Sequence, residues 1–600
     1  MNDEKLHHLR HSLAHLLASA MLEMFPDANL GVGPVIENGF YYDFLLPRPL
    51  VPEDLKQLEK RMRELAKQKL AFERQEMSTE EAKAYFKERG QTFKVELIGD
   101  IEKFGTTEME EIESRASGKA AETKAKVESV SLYKTGNFVD LCRGGHVENT
   151  SEIKPDAFKL DKFSGAYWRG DQKNPQMQRV YGLAFLTKEE LQAYLKMVEE
   201  AEKRDHKVLG QKLELFMFHQ TSPGMPYWLP KGVVLYNELV SFWRKEHKKR
   251  GYQEIVSPLL NKKELYITSG HFDHYWENMF VANMGENEEY GVKAMNCPNA
   301  MLVFGSKLRS YKELPLRLSD TDHLHRYELA GTLNGLFRVR EFRQDDAHIY
   351  ITEEMIEEEY ERVFEITQLF YGIFNMSFRY RLGTRPEGFL GDLETWNKAE
   401  SSLKKILEKS GKEYFIEEGD GAFYGPKIDI LMKDALGREW QTGTIQLDFQ
   451  QPKRFGLEYI AEDGSRKTPV AIHRVIYGSL ERFIGLLIEH YAGAFPVWIA
   501  PVQIAILPIS ENQAAFAGEI RDRLLAINED LRIEVDVRGE SIGKKIREAT
   551  MQKIPYQIIL GQKEVDAGVL SVRTREGEDL GQMGIAEFME KLGQEIKEKK

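Results

Sequence analysis

Polar and apolar positions in residues 317–350 predict a strand, a loop and a second strand. Gly331, Asn334 and Gly335 mark 329–336 as the turn. The second arm reads at a period of two, the repeat of an extended chain. One parity collects Arg338, Arg340, Phe342, Gln344, Asp346 and His348; the other collects Val339, Glu341, Arg343, Asp345, Ala347 and Ile349. A single bulge would exchange the two faces. The first face suits a nucleotide, because guanidiniums grip phosphate oxygens bidentately and an aromatic ring stacks on a base. Arg326 and Glu328 stand just ahead of the loop. The bland alternative is a solvated strand of mixed charge.

The rest of the chain carries further periodic segments. Residues 9–25 predict an amphipathic helix ending before Pro26, with His11 and His15 one turn apart on one face. A strand-like aromatic stretch follows at 31–44, then helices at 52–70, with a proline near its start, and at 78–89, with Ser78 as cap. Residues 92–98 look like a strand, and 108–128 like a loop or exposed excursion. Charged helices are expected at 187–207, as a bridge between domains, and at 231–249, whose basic end could meet a phosphate backbone or only solvent. A long helix is expected at 353–374, and two strands at 422–432 and 438–449 turning at 434–437. Residues 473–492 end in a helix whose early turns hold Gly478, Glu481 and Arg482. Two prolines make 494–501 a linker. Beyond it, strands at 502–507, 531–537 and 556–560 alternate with helices at 511–527 and 542–553, which predicts a small α/β domain with a mostly parallel sheet.

Composition narrows the class. The chain has 600 residues, enough for three or four domains. Its 42% hydrophobic and 30% charged residues describe a globular protein. A net charge of −13 argues against wholesale polyanion binding, so any nucleic-acid contact must use local basic patches. Two cysteines, Cys142 and Cys297, exclude a disulfide framework and fit a reducing compartment. The N-terminus has no clean apolar core of a signal peptide, and no apolar run reaches eighteen residues, so neither export nor a membrane span is expected.

Candidate chemistry sits in two spaced pairs, His11/His15 and Cys142/His146. Four such donors could bind zinc; they could equally line a hydrolytic pocket without metal.

Several stretches are similar to the bacterial-type threonyl-tRNA synthetases, a class II aminoacyl-tRNA synthetase family. RGYQEIVSPLL with Pro258 resembles the class II dimer-interface motif, HRYE through FRVREF the second motif, and GSLERF with Arg482 the third. MNCP, QDDAH and AIHR resemble the family's zinc-ligand stretches, while GAFYGPKID and QTGTIQLDF match further family segments. RHSLAHLL and DLCRGGHV resemble its editing domain, and the C-terminal α/β pattern its anticodon-binding domain. The departures are Gly145 where the family usually has proline, Asn334 where histidine is common, MNCPNA for MNCPGH, and a start almost at His11 without the small domain many members carry ahead of it.

The resemblance implies an α+β multidomain chain: an α+β editing domain at 1–186, a linker helix at 187–207, a class II antiparallel-sheet catalytic core at 208–497 and an α/β anticodon-binding domain at 498–600. It implies activation of L-threonine by ATP, transfer to tRNA(Thr), and hydrolysis of mischarged seryl-tRNA(Thr), in a cytoplasmic homodimer joined through the catalytic domain. Arg326 would hold the α-phosphate and Arg482 the γ-phosphate, Phe342 would stack on adenine with Glu328 and Arg338 fixing the nucleotide, and Lys427 would add a cation. Magnesium would accompany ATP. Cys297, His348 and His473, which no spacing connects, would hold one zinc per subunit with an open position for threonine. Valine lacks the hydroxyl such a site reads and would be rejected. Asp346, Tyr424, Gln344 and Gln446 would complete the amino-acid pocket, and His271 would assist transfer. Serine differs from threonine by one methyl, worth roughly 1–3 kcal/mol, so a second, hydrolytic site is needed. His11, His15, Tyr42, Lys94, Tyr133, Asp140, Cys142 and His146 would form it, without metal as the resemblance leans; Glu564 and Arg573 would contact the anticodon. The rivals are a non-catalytic paralogue that binds RNA as a regulator and a class II synthetase for another amino acid.

Overall fold

A computed structural model describes residues 2–107, 127–171, 173–285, 288–434 and 437–600. Most of the excursion expected at 108–128 lies outside the described residues. The chain divides into two compact units, Met1–Glu199 and Glu200–Lys600, and the division falls inside the helix Lys188–Arg204.

In the first unit the helix Asn2–Met24 buries Leu9, Leu13, Leu16, Leu17 and Met21 against Phe40, Tyr42 and Phe44 of the strand Gly39–Leu45. Each such side chain contributes about 1.5–3 kcal/mol when taken from water. That strand belongs to a five-stranded sheet with Asn29–Leu30, Val35–Ile36, Gln176–Ala184 and Phe158–Tyr167. A second sheet joins Glu73–Ser78, Ser129–Thr135 and Phe138–Leu141. The helix Thr79–Glu88 starts at Ser78, whose hydroxyl and Glu81 form a reciprocal cap.

The strand expected at 92–98 is instead the helix Thr92–Phe104, closed by Gly105 in the left-handed conformation. Phe93 and Leu97, one turn apart, pack with Trp168 and Met177. Val95, Ile98 and Ile101 pack on another side with Ala82, Phe86 and Leu132. The alternation Phe93–Lys94–Val95–Glu96–Leu97 has the period of a strand, and only packing on two sides makes the segment a helix.

The second unit is built on an eight-stranded sheet. Its order is Gln253–Glu254, Leu316–Asp320, Asp346–Ile351, Val470–Val475, Glu439–Asp448, Lys427–Lys433, Ser377–Gly383 and Tyr414–Glu417. The six inner strands run antiparallel and the two edge strands pair parallel. The helices Pro230–Lys249, Ile356–Gly372, Leu393–Ser410 and Leu480–Tyr491 share one core with this sheet. The expected linker at 494–501 is largely part of that core: Phe495, Trp498, Ile499 and Ala500 are buried in it, and Val497 packs in the core of the C-terminal sheet. Prolines there shape a packed turn rather than a mobile connection.

The C-terminal sheet has five strands. Ile533–Val535, Ile504–Pro508 and Tyr556–Leu560 are parallel, as expected, and Leu570–Thr574 and Asp579–Met583 extend it antiparallel. The expected helices are observed as Ala514–Ile527 and Ile542–Met551.

Candidate active site and hydrolytic site

One row of side chains runs across the large sheet. His348 faces His473 across one strand pair, His473 faces Gln446 across the next, and Gln446 faces Lys427 across the third. Directly opposed residues of antiparallel strands point to the same face. Residues 125 or more apart in sequence, such as His348 and His473, therefore meet without any local signal. The rings of His348 and His473 lie 4.9 Å apart, edge to face.

Cys297 joins them as the first residue of the helix Cys297–Gly305. The three donor atoms lie within 4.8 Å of one another, and all three residues are buried. Nε2 of His473 lies 2.8 Å from Asp448, whose other oxygen accepts the N–H groups of Gln450 and Gln451. Nδ1 of His348 is buried with no protein partner. A carboxylate behind one imidazole and a bare lone pair on another are what a metal-ligand set needs. Burial raises the Cys297 thiol well above its ordinary value, with Asp346 and Asp448 adding to it, and keeps His348 neutral far below its own. A divalent cation would reverse the thiol's preference. The residues present fit a zinc ion.

These groups line a cavity of about 470 Å³ with Gln344, Asp346, Tyr424 and Gln446 on its walls. Asn296 donates to Asp346 at 3.1 Å, and the Tyr424 hydroxyl donates to Gln446. The same cavity holds Arg326, Glu328, Arg338, Phe342 and Arg482. Arg338 pairs with Glu328 at 2.8 Å, and the Arg326 guanidinium lies over the Phe342 ring at 5.1 Å. Arg482 donates to the carbonyls of Phe337 and Gln441 at 2.9 and 3.1 Å. Burial, and then the charges of Arg326 and Arg338, lower its pKa. Three guanidiniums converging on one cavity repel each other until an anion arrives.

Two expected positions stand differently. Lys427 lies in the row, but its ammonium is tied to Asp420 and Asp429, each at 3.1 Å, and it is not among the residues lining the cavity. Arg340 shares its parity with Arg338, yet donates to the Glu328 carbonyl. His271 does line the cavity, 3.8 Å from the Cys297 sulfur, with its other nitrogen on Ser269. Burial, helped by His473 and Arg326, takes its pKa down to about 3. Asp448 and Asn296 escaped the sequence reading. Asp448 shares the parity of Gln446 in the expected strand 438–449, so the period-two pattern could have found it.

The first unit brings its four donors together as well. Cys142 Sγ lies 3.5 Å from His11 Nε2 and 3.2 Å from His146 Nε2. The ring of His15 lies 4.3 Å from that of His146, and Tyr133 packs on His146 at 4.7 Å. Beside them Asp140 receives Lys94 at 2.6 Å and the Tyr42 hydroxyl at 2.5 Å. Burial drives the His146 pKa down to about 2, keeps His11 and His15 below their ordinary value, and lifts the Cys142 thiol to about 11. The site therefore presents neutral imidazoles and a protonated thiol beside a salt-bridged carboxylate.

A model of the tRNA synthetase class II core domain (G, H, P, S and T) matches residues 280–491. The anticodon binding domain matches 503–595, and the threonyl and alanyl tRNA synthetase second additional domain matches 130–181. The threonine–tRNA ligase of Acetivibrio thermocellus is 47% identical over 590 residues, 98% of this chain and 88% of its own length. That of Carboxydothermus hydrogenoformans is 48% identical over 599 residues, 100% of this chain and 90% of its own. The chain belongs to the threonine–tRNA ligase family. A solved structure described as the RNA binding domain of threonyl-tRNA synthetase from Cryptosporidium parvum superposes with a TM-score of 0.63 at 40% identity, covering 65% of this chain and 98% of that one. The chain is thus an α+β multidomain protein with a class II core, an anticodon-binding domain and a second additional domain, and the last two imply a tRNA partner. No helix among the described residues is long and apolar enough to cross a membrane.

Two departures from the family pattern acquire a physical meaning. Gly145 has φ +85°, which proline cannot adopt, so the loop after Cys142 follows its own path here. Asn334 accepts from Lys207 at 3.3 Å. Of the two expected anticodon residues, Glu564 caps the helix Gln562–Ala567 through the Gly561 N–H and also receives Gln582. Arg573 sits at a bulge in its strand.

Proposed function

We propose that the protein activates L-threonine with ATP, transfers it to tRNA(Thr), and hydrolyses seryl-tRNA(Thr) in its first unit. The observation that carries this is the adjacency, in one cavity, of the Cys297–His348–His473 donor set and the Arg326–Arg338–Arg482 cluster. Amino-acid recognition and triphosphate binding then share one wall.

Arg326 would hold the α-phosphate as charge develops on it, and Arg482 the far end of the triphosphate. Phe342 and the Glu328–Arg338 pair would place the adenine. Zinc held by Cys297, His348 and His473 would offer an open position to the amino and hydroxyl groups of threonine. Asp346 and Tyr424 would bind the ammonium, with Gln344 and Gln446 closing the pocket. Magnesium would enter with ATP. His271, neutral by burial, would help transfer by a hydrogen bond that orients the attacking tRNA hydroxyl. Lys427 keeps a weaker role, because its charge already serves Asp420 and Asp429.

In the first unit, a neutral imidazole of His11 would take the proton from water attacking the seryl ester, with His146 lining the pocket. Lys94 and Tyr42 would keep Asp140 in place beside it. The methyl of threonine would be the excluded group. Glu564 and Arg573 would approach the anticodon, Glu564 less plausibly because of its capping work. Val256, 82% exposed, with Leu259 and Leu260 beside the edge strand Gln253–Glu254, forms an apolar surface that suits a second copy of the chain. Two free, buried cysteines suit the cytoplasm.

Amino-acid-dependent ATP–pyrophosphate exchange tests the proposal. Strong exchange with threonine, weak with serine and almost none with valine or proline is expected. No exchange with any of them, in folded zinc-loaded protein, would leave an RNA-binding paralogue.

A further inference from the structure

A third group of metal-competent side chains, Asp205, His206 and Glu489, lies behind the nucleotide-binding loop. Its imidazole has no position left for a metal. His206 is 1% exposed, with Nδ1 2.7 Å from Glu489 Oε1 and Nε2 accepting the Leu336 N–H at 3.0 Å. A carboxylate only accepts and a backbone N–H only donates, so the proton is fixed on Nδ1. The ring also packs on Phe337 at 4.1 Å. Gly335 has φ +49°, and a Cβ there would fall 2.3 Å from His206 Nε2. The loop can therefore close onto His206 only with glycine at that place.

The two partners of His206 lead directly to the arginines of the cavity. Glu489 lies on the helix Leu480–Tyr491, on the same face as Arg482 two turns earlier, and is held from its other side by Arg438. Leu336 precedes Phe337, whose carbonyl receives Arg482 at 2.9 Å. Asn334 and Arg338 close the loop through backbone hydrogen bonds of 3.1 and 3.3 Å. Arg338 and Arg482 thus sit on two separate elements, a loop and a helix, and His206 bonds to both elements at once.

We propose that His206 is a positioning residue for ATP: it latches the loop 329–338 to the helix Leu480–Tyr491 and so fixes Arg338 and Arg482 at the separation the triphosphate requires. This rests on the ATP reading of those arginines. Without the latch the loop must be ordered by ATP itself, and part of the binding energy is lost to that ordering. Threonine, bound at the other end of the cavity, gains nothing from the latch.

Two amides separate the two hydrogen bonds of the imidazole. His206→Asn places a donor near the Nδ1 position and keeps Glu489, but loses Leu336. His206→Gln places an acceptor near the Nε2 position and keeps Leu336, while the backbone N–H of residue 206, which donates to Glu489 Oε1 at 3.2 Å, still holds the helix end of the latch. In pyrophosphate exchange by the full chain, His206→Ala and His206→Asn should raise the KM for ATP about tenfold, equivalent to about 1.4 kcal/mol, with the KM for threonine unchanged. His206→Gln should stay near the wild type. A wild-type KM for ATP in His206→Asn overturns the latch. So does a His206→Gln variant as impaired as His206→Asn, or an equal rise in both KM values together with a lowered Tm, which is what a purely structural histidine gives. Arg482→Ala is the control: if it leaves the KM for ATP unchanged, the ATP reading itself fails, whatever the His206 variants do.

Discussion

The protein holds two clusters made of the same side chains, one cysteine with two histidines in the second unit and one cysteine with three histidines in the first. They differ in what stands behind the donors. Asp448 supports His473 from behind, and Nδ1 of His348 is left bare and buried. In the first unit Nδ1 of His11 and of His15 are bare and buried as well, but the thiol lies against two imidazoles and the nearby carboxylate is committed to Lys94 and Tyr42. Donor identity therefore does not decide between a metal site and a hydrolytic pocket. What distinguishes the two clusters is the group behind the donors: a carboxylate hydrogen-bonded to His473 in the second unit, and a carboxylate already held by Lys94 and Tyr42 in the first.

The sharpest test of this contrast is zinc content. Wild-type protein should carry about one zinc per chain, Cys297→Ala almost none, and Cys142→Ala the wild-type amount. Cys297→Ala should also cost about 10³-fold in threonine-dependent exchange, the scale of losing several kcal/mol of Lewis-acid binding. Two zincs per chain, with one lost in Cys142→Ala, would erase the distinction. Lys94→Met should next reduce hydrolysis of seryl-tRNA(Thr) by about 10²-fold or more while leaving threonine exchange untouched, since it strips the partner from a buried carboxylate at the proton-transfer site. Combining His11→Ala with His15→Ala should have the same selectivity; undiminished hydrolysis would mean the pocket is elsewhere.

Asp448→Asn gives a smaller, graded effect. It keeps the shape but weakens the support of His473, so zinc affinity against a competing chelator should fall about 10- to 100-fold. An unchanged affinity would make the hydrogen bond incidental. The mildest test is pH. His146 titrates near 2 when folded and near its ordinary 6.5 when unfolded. Above 6.5 neither state binds that proton and stability is flat. As pH falls below 6.5 the unfolded chain takes up a proton the folded chain refuses, and stability drops by up to about 1.4 kcal/mol per pH unit. Thermal unfolding of His146→Gln should show a shallower loss between pH 6.5 and 5 than the wild type.

Local patterns carried some of this into the sequence. Ser78 as a cap and the alternation after residue 502 depend on neighbours within a few residues. The arm expected as one strand at 338–348 is instead two short strands, Glu341–Arg343 and Asp346–Ile351, in different sheets. Phe342, Gln344, Asp346 and His348 still share the cavity wall, but Arg340 leaves it and Val339 of the other parity joins it. Where two or more tertiary surfaces bury one short segment, that legibility fails. Residues 92–97 alternate polar and apolar as a strand would, although the helix they belong to packs on two clusters, and 494–501 looks like a linker although its aromatic residues fill a core.

What the sequence by itself determined was the inventory: which donors, cations and turn residues exist, the periodicity of most elements, and the motifs that carry the family likeness. The tertiary structure alone decided which of them meet. The register of the sheet sets His348 opposite His473 and Gln446, the start of one helix delivers Cys297, and a histidine in an otherwise charged connecting segment ends up between a loop and a helix. Strand pairing and packing join residues far apart in the chain, and no local spacing encodes such distances.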